Sequence, residues 1–280
     1  MAAPSCASAP SPGVRFEKVQ TVDLPAAAEV LVVAPPSYDR EPGRRYPVLY
    51  FLHDGYGDGR TLKRRGVVAE ALARMRDGRL PEFLIVAPDG TGSWFSDFHD
   101  KSRRYEAFLT GDLPRWIESH YRALPGKKAR GITGISMGGY GAVKTALKHP
   151  DLFDSVSSLS GALIPFGWDD LARYSFVARY TLMRVFGRSV QSNSLDANDV
   201  WNILWGLRFE EPPFTVELRA GTEDFYGLDG VAAQFGTLLN EHGVPTTVIL
   251  ERGGHDWHYW SRALLDIFAW HAKRFAYDSP

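Results

Sequence analysis

An α/β fold, with a mostly parallel central sheet and helices on both faces, is what this sequence predicts, and three observations predict it. From Tyr46 onward, short β-prone runs alternate with longer stretches of helical spacing, the signature of repeated strand–helix–strand units. Two of the runs, Tyr46-Pro47-Val48-Leu49-Tyr50-Phe51-Leu52 and Phe83-Leu84-Ile85-Val86-Ala87, are almost continuously apolar, which suits strands buried on both faces of a parallel sheet. Finally, Arg130 to Tyr140 reads R-G-I-T-G-I-S-M-G-G-Y, a β-prone run that enters G-x-S-x-G and passes directly into a helix-compatible run.

In chain order, the Ala-, Ser- and Pro-rich residues 1–13 are expected to be disordered, and one domain to occupy 14–280. Val14 to Val22 and Ala28 to Ala34 alternate loosely around Asp23-Leu24-Pro25 and predict an antiparallel start to the sheet. The Tyr46–Leu52 strand ends in the glycine-rich loop His53-Asp54-Gly55-Tyr56-Gly57-Asp58-Gly59. Leu62 to Arg76 has helical spacing, and Trp94 to Arg104 reads as a polar-aromatic loop. Tyr105 to Tyr121 is helical, with Pro114 marking a kink or a restart. After the G-x-S-x-G unit come a strand at Ser155 to Ser160 and strands at Phe214 to Leu218 and Thr246 to Leu250. A helix at Gly230 to His242 lies between the last two, and Tyr259 to Phe275 closes the chain. Residues 162–213 break the alternation. They are long and aromatic, and predict a cap-like insertion whose Phe166, Trp168 and Trp201 form a substrate wall.

Bulk properties narrow the function. The chain has 280 residues, 44% hydrophobic, enough for one full core. A formal net charge of -1 argues against general affinity for nucleic acid or anionic membranes, and Lys63-Arg64-Arg65 and Lys127-Lys128 read as solvated faces. A single cysteine, Cys6, excludes an internal disulfide. No apolar run is long enough to span a membrane. The first residues lack the basic start and apolar stretch of an export signal, which favours a cytoplasmic location and leaves export open if a leader has been removed. A homo-oligomer is also left open.

The chemistry follows from the serine. In a strand–turn–helix G-x-S-x-G, the serine sits on a strained turn with its hydroxyl clear of the sheet, so Ser136 is the candidate nucleophile. A serine hydroxyl needs a base, and the base needs a group that holds its tautomer. Chain order Ser, acid, His places these on later strand ends. Ala220-Gly221-Thr222-Glu223-Asp224-Phe225 supplies Glu223 or Asp224, with Asp229 just beyond. Asp224 is preferred for its place at the loop tip. Gly253-Gly254-His255-Asp256-Trp257-His258 supplies His255, preferred because the glycines let the backbone turn it toward the serine, and His258, at the helix start. His255 and His258 lack partner carboxylates at metal-ligand spacing, so neither a metal nor another cofactor is implied. The oxyanion donors are expected to be the N–H groups of Met137, next after the nucleophile, and Tyr56, in the glycine-rich loop.

Several motifs carry a resemblance. Y-P-V-L-Y-F-L-H-D-G, W-I-E-S-H-Y-R, G-I-S-M-G-G-Y-G-A, H-P-D-L-F, A-G-T-E-D-F and G-G-H-D-W-H-Y-W together span roughly Val14 to Phe275. Over that span the chain resembles the esterase D-like, or "putative esterase", branch of the α/β-hydrolases, most of all its tributyrin-type short-chain esterases. The resemblance implies an α/β-hydrolase fold and places nucleophile, acid and base on Ser136, Asp224 and His255. It implies a serine carboxylesterase acting on small-molecule esters with short acyl or aryl groups. The branch also contains S-formylglutathione hydrolases, feruloyl and acetyl xylan esterases and acyltransferases. Where the branch often carries a second glycine after His-Gly, this chain has His53-Asp54-Gly55, which brings a carboxylate to the oxyanion loop. The rival from another class is a non-catalytic binding member of the fold.

Overall fold

A computed structural model describes residues 13–165, 176–187 and 194–277. The segment 1–12, and with it nearly all of the expected disordered stretch, lies outside the described residues, as do Phe166 and Trp168. Among the described residues, eight strands form one sheet in the order β1-β2-β4-β3-β5-β6-β7-β8. In chain order these are β1 (Val14–Val19), β2 (Ala28–Val33), β3 (Val48–Leu52), β4 (Leu84–Pro88), β5 (Arg130–Ile135), β6 (Ser155–Leu159), β7 (Thr215–Gly221) and β8 (Thr246–Glu251). The first two are antiparallel to their neighbours, and β3 to β8 run parallel. The helices are α1 (Thr61–Arg64), α2 (Val67–Arg76), α3 (Tyr105–Ala107), α4 (Leu113–His120), α5 (Met137–Lys148), α6 (Phe176–Phe186), α7 (Val200–Trp205), α8 (Leu228–Glu241) and α9 (Trp257–Ala272).

The continuous apolar runs are buried on both sides, for the reason the sequence suggests. Side chains alternate across a strand. Along β3, Leu49 and Phe51 therefore enter the core packed by α2 and α9, while Tyr50 and Leu52 enter the core on the opposite face, with Val143 of α5 and Phe235 of α8. Each such fully buried Leu, Val or Phe side chain contributes about 1.5–3 kcal/mol. The chain runs from β3 outward to β4, then crosses back to β5 on the other side of β3. The loops leaving β3 and β5 diverge at that reversal, where crevices open at the carboxyl edge of parallel sheets.

Two predicted helices are interrupted. The Leu62–Arg76 pattern splits at Gly66, whose φ of +76° is left-handed and ends α1 before α2 begins. The Tyr105–Tyr121 pattern restarts at Pro114. A π-helical stretch, Phe108–Asp112, separates α3 from α4, because Pro114 has no N–H to continue the α-helical ladder. Lys127, read as a solvated face, instead donates to the carbonyls of Pro150 (2.7 Å) and Pro213.

Candidate active site

Ser136 ends β5 at φ +53°, ψ −113°. A non-glycine residue held there costs on the order of 1–3 kcal/mol and persists only if its surroundings over-determine it. Backbone bonds do so here. Ser136 N–H donates to Leu159 O (2.9 Å), and its carbonyl accepts from Tyr140 (3.0 Å) and Ala162 (3.0 Å). The flanking glycines are explained by close approach. A Cβ on Gly134 would run into the Gly138 backbone, and one on Gly138 into the Leu52 carbonyl. The turn closes only without side chains at those two positions.

The structure brings the three expected side chains together. His255 Nδ1 lies 2.8 Å from Asp224 Oδ2, and His255 Nε2 lies 3.0 Å from Ser136 Oγ. The carboxylate can only accept, so the ring proton sits on Nδ1 and Nε2 is left to accept from the serine hydroxyl. The Asp224 side chain is fully buried, and its Oδ1 accepts from Tyr226 N–H (2.9 Å). The acid and base loops are tied through their backbones, Glu223 N–H to Gly253 O at 2.9 Å. The His255 ring packs edge-on against Trp260 (4.8 Å) and Tyr226 (4.9 Å). Trp260 is in turn held by its Nε1–H to Ser160 Oγ (3.1 Å), so Ser160 is a structural serine. The alternatives Glu223 and His258 are exposed and take no part: Glu223 pairs with Arg252 (2.8 Å).

The expected oxyanion donors differ in state. Met137 is the first residue of α5, and its N–H has no acceptor among the described residues. It is an orphan donor at the positive end of a helix, on the residue next after Ser136. Tyr56 N–H is instead occupied by Asp54 Oδ1 (2.9 Å). The Asp54 carboxylate is buried, and its Oδ2 has no hydrogen-bond partner among the described residues. His53 fixes this loop. Its Nε2 accepts from Gly90 N–H (3.0 Å), which leaves Nδ1–H to donate to Asp54 O (2.7 Å).

A cavity of about 530 Å³ opens over Ser136. Its lining combines charged side chains, Asp54, Arg64, Arg65 and Asp256, with uncharged ones that include Trp94, Ala162, Ile164, Ala178, Thr181 and Leu228. Trp201 is a correction. Expected in the substrate wall, it lies behind it, stacked edge-on against Phe235 (5.0 Å) with its Nε1–H donated to Leu163 O (2.6 Å). A short helix turns it toward the core, where the indole finds both an aromatic neighbour and an acceptor.

Sequence reasoning missed Trp94. Its loop looked polar and aromatic, but nothing in the residue pattern marks the backbone that aims it. Trp94 and Phe95 are consecutive non-glycine residues at φ +53° and +51°. Nearby, Lys144 of α5 is fully buried and donates to Glu106 Oε2 (2.6 Å), Ser96 Oγ (2.6 Å) and the Phe95 carbonyl (3.0 Å). Burial alone would raise the Glu106 carboxyl, but the charges of Lys144 and Lys148 and the bond from His149 outweigh it and hold it well below the usual carboxylate range.

Among the described residues, no helix is long and apolar enough to cross a membrane, and no group of three or more His, Cys, Asp or Glu side chains could hold a metal ion. Sheet order and the position of the serine turn define an α/β-hydrolase-fold protein. Comparison with known proteins carries this further. Residues 22–225 match the "Putative esterase" family, and the chain belongs to it. An acetyl esterase of Caldicellulosiruptor saccharolyticus is 27% identical over 195 residues, 68% of this chain and 71% of that protein. A solved ferulic acid esterase superposes with a TM-score of 0.71 at 26% identity, covering 94% of this chain and 98% of that one. An S-formylglutathione hydrolase of Agrobacterium tumefaciens shares the fold, with a TM-score of 0.73 at 21% identity over 94% of this chain and 95% of that one. The protein is therefore a carboxylesterase-type hydrolase.

Proposed function

We propose that the chain hydrolyses short-chain acyl or aryl esters through an acyl-enzyme, with Ser136 as nucleophile, His255 as general base and acid, and Asp224 as the group that holds the base. The observation that carries this reading is the hydrogen-bonded chain from Asp224 Oδ2 through both nitrogens of His255 to Ser136 Oγ, at 2.8 and 3.0 Å. Ser136 Oγ attacks the ester carbonyl as its proton passes to His255 Nε2, and buried Asp224 stabilises the imidazolium. The carbonyl oxygen becomes an oxyanion at the N-terminus of α5, where Met137 N–H is free to donate. Tyr56 N–H is the second donor, and it joins when the oxyanion replaces Asp54 Oδ1 as its acceptor. Collapse of the tetrahedral intermediate returns the proton from His255 to the leaving alcohol. Water, deprotonated by His255, then attacks the acyl-enzyme and releases the acid and Ser136. No step requires a cofactor.

The uncharged side chains of the lining suit an acyl or aryl group without charge, and the acetyl esterase relative points to small acyl groups. Two experiments test the reading. A serine-reactive fluorophosphonate probe should label Ser136 in the folded protein. Wild-type protein should hydrolyse p-nitrophenyl acetate and butyrate, and Ser136→Ala should not. Unlabelled Ser136, or near wild-type turnover by the alanine variant, would reject it in favour of a non-catalytic role for the site.

A further inference from the structure

The loop after β4 poses a physical question that ester chemistry leaves unanswered. A fully buried ammonium, Lys144, sits two turns along the helix that starts at the nucleophile, yet it touches neither Ser136 nor the cavity. One of its three bonds goes to the carbonyl of Phe95, the second residue of the left-handed Trp94–Phe95 pair. The turn is closed by one backbone bond, Ser96 N–H to Ser93 O (3.1 Å), and braced by side chains. Ser93 Oγ accepts from Phe95 N–H (3.0 Å), Ser96 Oγ–H donates to Trp94 O (2.9 Å), and the Phe95 ring packs edge-on against His53 (5.3 Å) and Tyr105 (5.6 Å). A Cβ on Gly90 or Gly141 would strike that ring. The consequence of the turn is the direction of Trp94. Its indole is buried, lies edge-on to Tyr140 (5.6 Å), is among the uncharged side chains lining the cavity and donates Nε1–H to Thr181 Oγ1 of α6 (2.9 Å). The same loop holds α6 a second time, through His99 N–H to Val185 O (2.7 Å).

We infer that Trp94 is the wall that limits the length of the acyl group admitted to Ser136, and that Lys144 is a positioning residue that keeps Trp94 in place by holding the Phe95 carbonyl with Glu106 as its counter-charge. The inference rests on the ester-hydrolase reading above. An acyl chain is apolar, so it takes the uncharged part of the cavity. Of the large uncharged rings in the lining, Tyr226 and Trp260 pack on His255, whereas Trp94 is tied to α6 through Thr181 and forms the wall on that side. Ala162, Ala178 and Thr181 are small, so the indole sets the depth. If the Phe95 carbonyl loses its donor, the left-handed pair relaxes toward ordinary dihedrals and the indole swings. Thr181 then loses its bond to the indole, while α6 keeps the His99–Val185 tie.

The test is the acyl-chain profile, read as the ratio of kcat/KM for p-nitrophenyl octanoate to that for the acetate. Trp94→Ala should raise this ratio by about ten-fold or more, the scale that one or two methylenes command in an apolar pocket. Lys144→Met should move it the same way, by about three- to ten-fold, through a lower KM for octanoate with kcat for acetate within about three-fold of wild type. Thr181→Val, which keeps the shape and removes the indole's acceptor, should give a smaller shift in the same direction. Because Lys144→Met leaves the Glu106 carboxylate beside an apolar side chain, Lys144→Met/Glu106→Leu is made alongside it, and folding of each is checked by circular dichroism and thermal melting. A folded Lys144 variant with the wild-type ratio overturns the positioning role. Trp94→Ala with both esters changed equally overturns the wall. Failure of both Lys144 variants to fold also overturns the positioning role, since the clamp is then simply part of the core. If wild-type protein hydrolyses none of these esters, the ester-hydrolase reading itself fails. Hydrolysis with an unmoved ratio sinks only this inference.

Discussion

Two turns in this molecule hold non-glycine residues in the left-handed region beside the same cavity, and they are built in opposite ways. The Ser136 turn is held by backbone: three main-chain hydrogen bonds and two glycines that let neighbouring backbones touch. The Trp94–Phe95 turn has one backbone bond across it, Ser96 N–H to Ser93 O, and depends otherwise on side chains: Ser93, Ser96, and a lysine 49 residues further along the chain, anchored by a buried glutamate. A backbone-held turn tolerates no side chain at its contact points, so it leaves a short, recognisable motif. A side-chain-held turn can be assembled from distant residues and leaves no local trace. The first aims the proposed nucleophile, for which the geometry must hold to a fraction of an ångström. The second aims a wall, for which a bulky ring and a rough direction are enough.

The sharpest way to break this comparison is at the nucleophile. Ser136→Ala should lower kcat on p-nitrophenyl acetate by on the order of 10⁶-fold, and Asp224→Asn by about 10⁴-fold, because the asparagine no longer holds His255 in the tautomer that accepts a proton. Both variants should melt close to wild type. If Asp224→Asn proves kinetically silent, the acid has been misplaced. Next in size are the two glycine contacts. Gly138→Ala drives a methyl group into the Leu52 carbonyl and should cost about 3 kcal/mol or more in stability, read by urea denaturation, together with loss of activity. Gly90→Ala sets its methyl group against the Phe95 ring, a side chain rather than a backbone, and should cost about 1–3 kcal/mol. Equal costs would remove the distinction between a backbone-held and a side-chain-held turn.

Acid separates the clamp from the rest of the core. The Glu106 carboxyl is depressed, so its contribution is complete above the unfolded value of about 4.3 and is lost only as pH falls below that toward its folded value. Buried His271 works in a higher window. It lies under the sheet with Nδ1 2.7 Å from Ser155 Oγ and Nε2 2.8 Å from Ser157 Oγ, and burial pushes its pKa well below the ordinary histidine value, with Arg274 adding to the effect. The unfolded chain therefore binds a proton at His271 more readily than the folded one. Stability from this residue is complete above about pH 6.5 and declines as pH falls through that value toward the folded pKa. Thermal melts at pH 8, 6.5 and 5 should show a decline by pH 5 that is smaller in His271→Gln and unchanged in Lys144→Met/Glu106→Leu. The smallest expected effect is Trp201→Phe, which keeps the ring on Phe235 and loses one hydrogen bond, about 0.5–1.5 kcal/mol by urea denaturation, with no change in the acyl-chain profile.

Much of the fold was legible because its signals are local. Continuous apolar runs predicted β3 and β4, since strands with cores on both faces have no polar side to show. The G-x-S-x-G turn was legible because two backbones must touch there. The strand-end positions of Asp224 and His255 followed from chain order. Illegible were the inward turn of Trp201 and the burial of Lys144 beneath the Phe95 carbonyl. Each depends on which acceptor lies nearest in space, and residue spacing carries no such information.

The sequence by itself determined the parallel sheet, the turn that lifts Ser136, and the two strand-end loops that meet it, because period, glycine placement and strand order are properties of the chain as written. Only the tertiary structure decided what surrounds them. It brought Lys144 under Phe95 and turned Trp94 into the cavity. Those arrangements come from long-range packing, in which a buried charge or ring takes whichever partner the closed core leaves within reach.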